Sequence, residues 1–385
     1  MYTRNLQARL ERHKTSLLLL GPRQVGKSTL LSALTPDLTL DFASARTFRQ
    51  YVADPGRLES ELREAPPGVR TILIDEVQRV PGILDSVQHL VDTARDRFRF
   101  LLSGSSARKL RRGQANLLPG RVHVHHLHPL LAAELGDDFR LERALAHGTL
   151  PGIYAESDAD SRAIGLRSYA DTYLREEIQA EALVRDIGGY ARLLDLIATA
   201  SGRILNLSAL AQDAGIGHQT ARRYLEIMED TLLLWRIPAW SGSDRASLLG
   251  HPKILLFDLG VRNALLRRPL DRPLPDEQGL LLEHFVGLEL LRRTRDAWPE
   301  AKLYHFRTRS GVEVDYVVEV NRELWGIEVK ASEDVRSENL KGLRVLGDRA
   351  AGLKRKIVVF LGPRRMRQDD VEIIPLLEFL AELPS

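Results

Sequence analysis

Apolar residues fall in short runs across the first third of the chain: SLLLL at Ser16–Leu20, LTLDF at Leu38–Phe42, RTILIDE at Arg70–Glu76, FRFLLSGS at Phe98–Ser105 and RVHVHHL at Arg121–Leu127. Amphipathic stretches separate them, and strands alternating with helices predict a parallel α/β sheet over residues 1–130. A helical, charge-rich stretch follows over 131–186. From 187 to 270, LSALAQDAGIGHQTARRYLEIMED reads as two helices about the glycine turn Gly215–Gly217. Leu207, Leu210 and Ala211 mark the inner face of one helix, and Tyr224, Leu225 and Met228 that of the other. The apolar run LLLWRIPAW then suits a wing strand, which gives a winged helix-turn-helix. The Pro-rich connector RRPLDRPLPDEQG at Arg267–Gly279 opens a last α/β unit, 271–385.

Its most strand-like stretch is EVDYVVEVNRELWGIEVK, Glu313–Lys330. A two-residue turn at Asn321-Arg322 pairs Val320 with Glu323, Val317 with Gly326, Asp315 with Glu328 and Glu313 with Lys330. One face is then apolar: Val314, Tyr316, Val318, Trp325, Ile327 and Val329. The other gathers charge, with Gly326 leaving room beside it. Carboxylates opposed at ~5 Å repel by roughly 3 kcal/mol at an effective dielectric near 20, so a positive charge is expected between them. A divalent cation on Asp315 and Glu328 would supply it, and Glu283, on the apolar stripe of GLLLEHFVGLELLRR, would be a third ligand.

Composition narrows the class. With 385 residues, 44% hydrophobic and 28% charged, the chain is that of a multidomain globular protein. Zero cysteines exclude disulfides, thiolate catalysis and cysteine-ligated zinc. No apolar run reaches a membrane span, and the first residues lack the apolar core of an export signal, so a cytoplasmic protein away from membranes is expected. The net charge of +3 hides a concentration: Lys341–Arg367 holds nine basic residues against Asp348 alone, either a footprint for phosphates or a solvated surface. Lysine is scarce, nine against 46 arginines, yet it stands at both candidate sites, Lys27 and Lys330.

GPRQVGKS at Gly21–Ser28, between an apolar strand and a helix, is the GxxxxGK[ST] pattern in its proper context. Gly21 and Gly26 let backbone N–H groups face phosphates, and the helix entered at Lys27, Ser28 and Thr29 adds its positive end. Lys27 would reach the β- and γ-phosphates of ATP, and Ser28 would ligate magnesium. Asp75, at the end of the third run, would hold the magnesium shell, and its neighbour Glu76 would orient or deprotonate the attacking water. Ser105, or else Ser103, is the candidate sensor of the γ-phosphate. HVHHLH at His123–His128 alternates across a strand, which splits it as a metal cluster. In the middle segment Gln219, Thr220, Arg222 and Arg223 start the second helix, where DNA readers contact bases and phosphates. Such a module can instead pack against neighbouring subunits, and the two readings weigh alike.

Through GPRQVGKS, LIDE and LLSGSS the first 130 residues resemble the AAA-type ATPases. That resemblance implies an oligomer in which an arginine at the end of ARKLRRGQANLLPGR completes a neighbour's site, Arg121 first and Arg108 second. Glu283, Asp315, Glu328 and Lys330 are similar to the PD-(D/E)xK nuclease pattern, although Asp315 follows Val314 and not proline. EVDYVV and GIEVKAS also resemble a prokaryotic family in which an AAA-type ATPase is fused to a C-terminal domain of unknown function. The resemblance implies that Lys330 would orient or deprotonate a metal-activated water. The expected fold is thus an AAA-type P-loop ATPase core, a helical lid, a winged helix-turn-helix and a PD-(D/E)xK nuclease-like domain. The expected function is ATP-driven processing of branched or duplex DNA with a magnesium-dependent nuclease. Two alternatives stand: a motor, such as one for Holliday-junction branch migration, with a non-cutting C-terminal domain, and an ATP-switched regulator of a protein partner.

Overall fold

The computed structural model describes residues 2–94, 97–105, 120–173, 186–242, 250–298 and 300–384. Two compact units divide the chain, 1–130 with 225–233 and 131–224 with 234–385.

The five apolar runs of the first unit form a sheet: β1 Leu17–Leu20, β2 Leu38–Asp41, β3 Thr71–Asp75, β4 Arg99–Gly104 and β5 His123–His126, in the order β2-β3-β4-β1-β5. Every pairing is parallel. Leu17–Leu20 and Ile72–Ile74 are buried throughout, as expected of strands covered on both faces. The register sets Leu20 beside Gly104 and Ile74 beside Leu102. The C-terminal ends of β1, β3 and β4 therefore share one edge, where open parallel sheets bind ligands. Helix α1, Lys27–Ser32, leaves the loop after β1, and α2, Ile83–Thr93, follows β3.

In the second unit, α3 (Leu141–His147) belongs to the helical stretch. Then come α4 (Ile187–Ala200), α5 (Leu207–Asp213) and α6 (His218–Asp230), whose residues from Leu225 on are grouped with the first unit. Asp186 caps α4 by accepting from Gly189 N–H, and Asn206 caps α5 by accepting from Ala209 N–H. Gly215, at φ 65°, turns the chain between α5 and α6. Antiparallel β6 (Leu234–Ile237) and β7 (Lys253–Leu256) follow, then α7, Leu259–Leu265.

The last unit of sequence builds α8 (Gln278–Ala297), β8 (Lys302–Arg307), β9 (Glu313–Val320), β10 (Glu323–Lys330), α9 (Lys341–Arg349), β11 (Leu353–Phe360), β12 (Met366–Gln368), β13 (Val371–Pro375) and α10 (Leu376–Glu382). The sheet is mixed, in the order β12-β13-β11-β10-β9-β8. Asn321 and Arg322 both have positive φ, 51° and 66°, the turn that a right-twisted hairpin favours. Val320 faces Glu323 and Val317 faces Gly326, in the expected register.

The expected polar face is corrected. Val317 and Leu324 on that face join a core with Leu343, Leu346 and Phe360, and a Cβ at Gly326 would touch Leu343 and Leu346 at 3.0 Å. The room at Gly326 is taken by α9, and the charge is pushed to the ends of the strands, at Glu313, Asp315, Glu328 and Lys330 and at Glu319 near the turn. On the other face α8 lies against Tyr316 where Gly287 has no side chain, since a Cβ there would overlap the phenol.

Candidate functional site

The loop after β1 has the conformation that phosphate binding requires. Gln24 (φ 61°) and Gly26 (φ 91°) are left-handed, the kind of backbone turn whose N–H groups can line an anion-binding concavity. Gly21 is required sterically, because a Cβ would run into the Leu127 carbonyl oxygen. Lys27 is 5% exposed, and its ammonium donates to the Gly21 and Pro22 carbonyls, each at 2.9 Å. Ser28 and Thr29 are exposed at the start of α1.

Asp75 ends β3, and the Ser103 hydroxyl of β4 donates to its carboxylate. Ser103 also accepts from Glu76 N–H at 3.1 Å, so the expected alternative sensor is instead a buried brace between Asp75 and Glu76. Glu76 is left-handed at φ 56°, an uncommon state for a residue with a Cβ and one found at functional sites. Gln78 joins the group: its Nε2 donates to Glu76 Oε2 at 2.6 Å and to Ser105 Oγ at 3.0 Å. Gln78 was missed in the sequence, although its place two residues after the acidic pair was the available signal. A hydroxyl at Ser28 and a carboxylate at Asp75 are the hard oxygen donors that suit magnesium beside phosphates. The residues fit that ion, which supplies charge neutralisation on the phosphates when bound.

Arg121 forks Asp92 of α2, at 2.6 and 2.9 Å. Most of the helix expected before it, and Arg108 with it, lies outside the described residues. His126 and His128 stack with ring centroids 6.4 Å apart. Among the described residues no group of three His, Asp or Glu side chains is arranged to hold a metal.

Gln219, Arg222 and Arg223 are exposed at the start of α6, and Thr220 is half-buried. The basic segment 341–367 is changed by what the sheet brings beside it. Arg344 pairs with Asp369 and Lys356 with Asp370, while Arg355 and Arg365 share Glu372 and Glu382. Four of its nine basic residues thus meet acids that follow it in sequence.

The strand ends of the last sheet hold the second cluster. Asp315 turns its carboxylate along the sheet to accept from Val329 N–H at 2.8 Å, and Glu328 pairs with Lys330 at 2.7 Å. Glu283 arrives from α8, whose backbone carbonyl at that residue accepts from the Tyr316 hydroxyl at 3.0 Å. The partner of Glu283 is Lys253 of β7, at 2.5 Å. Lys253 also donates to the Asp315 carbonyl at 3.1 Å and lies 4.8 Å from the centre of the Tyr316 ring. Burial works against its ammonium, but Glu283, Asp315 and Glu313 outweigh that and raise its pKa. Burial and the Asp315 charge push Glu283 up to about 7 against the pull of Lys253. Burial and Asp315 likewise push Glu328 up to about 8 against Lys330.

The expected metal site is corrected accordingly. The positive charges beside these carboxylates are two ammonium groups, Lys253 on Glu283 and Lys330 on Glu328, and among the described residues no group of three acids is arranged to hold a divalent ion.

Family models match three consecutive segments: an AAA domain at 13–136, a domain of unknown function (DUF8612) at 138–272, and a domain of unknown function (DUF4143) at 278–379. The uncharacterized proteins Rv2008c of Mycobacterium tuberculosis and Mb2031c of Mycobacterium bovis are each 30% identical over 337 residues, 85% of this chain and 73% of theirs. The chain belongs to their family. It is a family of AAA-domain ATPases fused to domains of unknown function. Among solved structures, the Thermotoga maritima RuvB Holliday junction branch migration motor is 19% identical, with a TM-score of 0.28 over 60% of this chain and 85% of that one. AMPPCP-bound DnaA from Aquifex aeolicus is 13% identical, with a TM-score of 0.28 over 58% and 84%. Superpositions this loose carry no weight for activity. The AAA match spans the loop after β1 and the β3 and β4 ends described above. No helix among the described residues is long and apolar enough to cross a membrane.

Proposed function

We propose that this protein hydrolyses ATP with magnesium and couples the cycle to DNA. Support for the first part comes from one arrangement: the left-handed loop at Gln24 and Gly26, Lys27 inside it, and Asp75 and Glu76 on the same sheet edge. Lys27 exchanges the Gly21 and Pro22 carbonyls for phosphate oxygens. Glu76 accepts a proton from the attacking water, Ser105 contacts the γ-phosphate, and Ser28 and Asp75 would hold magnesium. Arg121 acts on a neighbouring subunit's site in a homo-oligomer once it leaves Asp92, and exposed pairs of this kind hold weakly.

The three helices α4–α6 with the β6–β7 pair form a winged helix-turn-helix. Its exposed residues Gln219, Arg222 and Arg223, with Thr220, bind duplex or branched DNA. The C-terminal sheet is a PD-(D/E)xK-like domain that holds DNA without cutting it. The bond from Lys253 to Glu283 favours that non-cutting form, because an ammonium stands where metal-dependent cleavage needs an ion. The experiment is ATP turnover by the full chain with and without duplex, forked and four-way-junction DNA. DNA-stimulated turnover that disappears in Lys27→Ala supports the proposal.

A second reading has its own support. Four basic residues of 341–367 are paired with Asp369, Asp370, Glu372 and Glu382, which lowers the charge this surface offers to phosphates. That favours an ATP-switched regulator of a protein partner, and gel shifts with the same DNAs at moderate salt separate the two.

A further inference from the structure

The turn after β3 folds one buried amide back onto two groups of the hydrolytic site. Glu76 is left-handed and its carbonyl accepts from Arg79 N–H at 2.9 Å, so Val77–Arg79 coil into a single tight turn. Val77 and Gln78 are buried by it, Gln78 to 5% exposure. There Gln78 Nε2 uses both of its protons, one to Glu76 Oε2 at 2.6 Å and one to Ser105 Oγ at 3.0 Å. The amide orientation follows from the charge, since a rotated amide would set its oxygen against the Glu76 carboxylate. Gly104, between the two serines, admits the side chain: a Cβ there would stand 2.9 Å from Gln78 Oε1. That oxygen is buried and has no hydrogen-bond partner among the described residues. A residue kept only for packing would not leave a buried acceptor unpaired, because an apolar side chain of the same size avoids that cost.

The geometry points to Gln78 as a positioning residue for ATP hydrolysis, tying the base Glu76 to the γ-phosphate contact Ser105. A nucleotide that moves Ser105 moves the amide, and the amide carries the Glu76 carboxylate with it. Arrival of the γ-phosphate and alignment of the base are then one event. Nucleotide affinity rests on the loop after β1 and is not part of this link. The inference rests on the proposed roles of Glu76 and Ser105.

The test uses the full chain and three single variants, Gln78→Met, Gln78→Asn and Glu76→Gln, with the double variant Glu76→Gln/Gln78→Met. Methionine keeps the volume and loses both donors, while asparagine keeps the amide but is one methylene short of spanning both partners. Misplacing a catalytic group by about 1 Å costs roughly 100-fold, so kcat for Gln78→Met is expected to fall roughly 10- to 100-fold. KM and the Kd of a fluorescent ATP analogue are expected to stay within about twofold, which separates positioning from binding. Gln78→Asn should fall between wild type and Gln78→Met, and it answers the same question if the methionine variant does not fold. In the Glu76→Gln background the second substitution should add no further loss, because the group being positioned is already gone.

Turnover of Gln78→Met within about twofold of wild type overturns the inference, as does a change in Kd that matches the change in kcat. Full turnover by Glu76→Gln overturns the base assignment itself, and the link with it. An inactive Glu76→Gln beside a fully active Gln78→Met overturns the link alone.

Discussion

Replacing Lys253 with methionine removes the ammonium bonded to Glu283 and leaves the volume nearly unchanged. Lys253 is 5% exposed, donates to Glu283 at 2.5 Å and to the Asp315 carbonyl at 3.1 Å, and lies over Tyr316. Removing one partner of a buried pair costs about 3–5 kcal/mol, because the remaining charge is stranded. The contact with Tyr316 and the orphaned carbonyl lie within that figure, since neighbouring terms do not add. At about 2–4 °C per kcal/mol for a unit of 150–250 residues, the loss is roughly 10 °C in Tm. Glu283 escapes part of the cost by taking a proton, so the loss is larger at pH 8.5 than at pH 5.5. Glu283→Leu added to Lys253→Met should recover most of the stability, because an apolar pair is as good as a buried ion pair or better. Thermal and urea unfolding of the full chain at the two pH values, followed by hydrogen exchange in β9 and β10, measures this. A loss below about 1 kcal/mol would show that Lys253 is not the counter-charge, as would a double variant no better than the single one.

Other outcomes follow from the same contacts. Glu283 and Glu328 have folded pKa values near 7 and 8, above the ordinary 4.5, so the folded protein holds more protons than the unfolded one between those limits. Their contribution is full below about 4.5 and is lost as pH rises through 7 and 8. The buried histidines His147, His284 and His305 have lowered pKa values and act the other way, losing stability as pH falls below 6.5. Tm should therefore fall from pH 6.5 to 8.5, and Glu283→Gln should flatten that slope in a calorimetric series. On α6, Arg222→Ala with Arg223→Ala should weaken duplex binding and reduce the salt slope of log K by about 2, as read by fluorescence anisotropy across a salt titration. An unchanged slope would place the DNA elsewhere.

The AAA domain was legible because its motif is local. Gly21, Gly26, Lys27 and Ser28 lie within eight residues, and the strand and helix around them are set by their own apolar pattern. The hairpin was legible for a similar reason: once Asn321 and Arg322 form the turn, period two dictates that Val317 meets Gly326. What failed was charge balance over distance. Lys253 stands 62 residues before Asp315, in a strand whose other residues read as apolar, and nothing near it in sequence points to Glu283. The acids beside the basic segment were hidden in the same way, because Glu372 and Glu382 reach Arg355 and Arg365 only after β11 and β13 pair. Gln78 was hidden by the left-handed turn at Glu76, since in a regular continuation of β3 it would share the face of Glu76 but stand about 7 Å further along.

ATP turnover by the full chain, with and without duplex, forked and junction DNA and beside Lys27→Ala, tests the central claim most directly. The account predicts hydrolysis that needs Lys27 and rises when DNA is added. Turnover that persists in Lys27→Ala, or that none of the three DNAs changes, would contradict it.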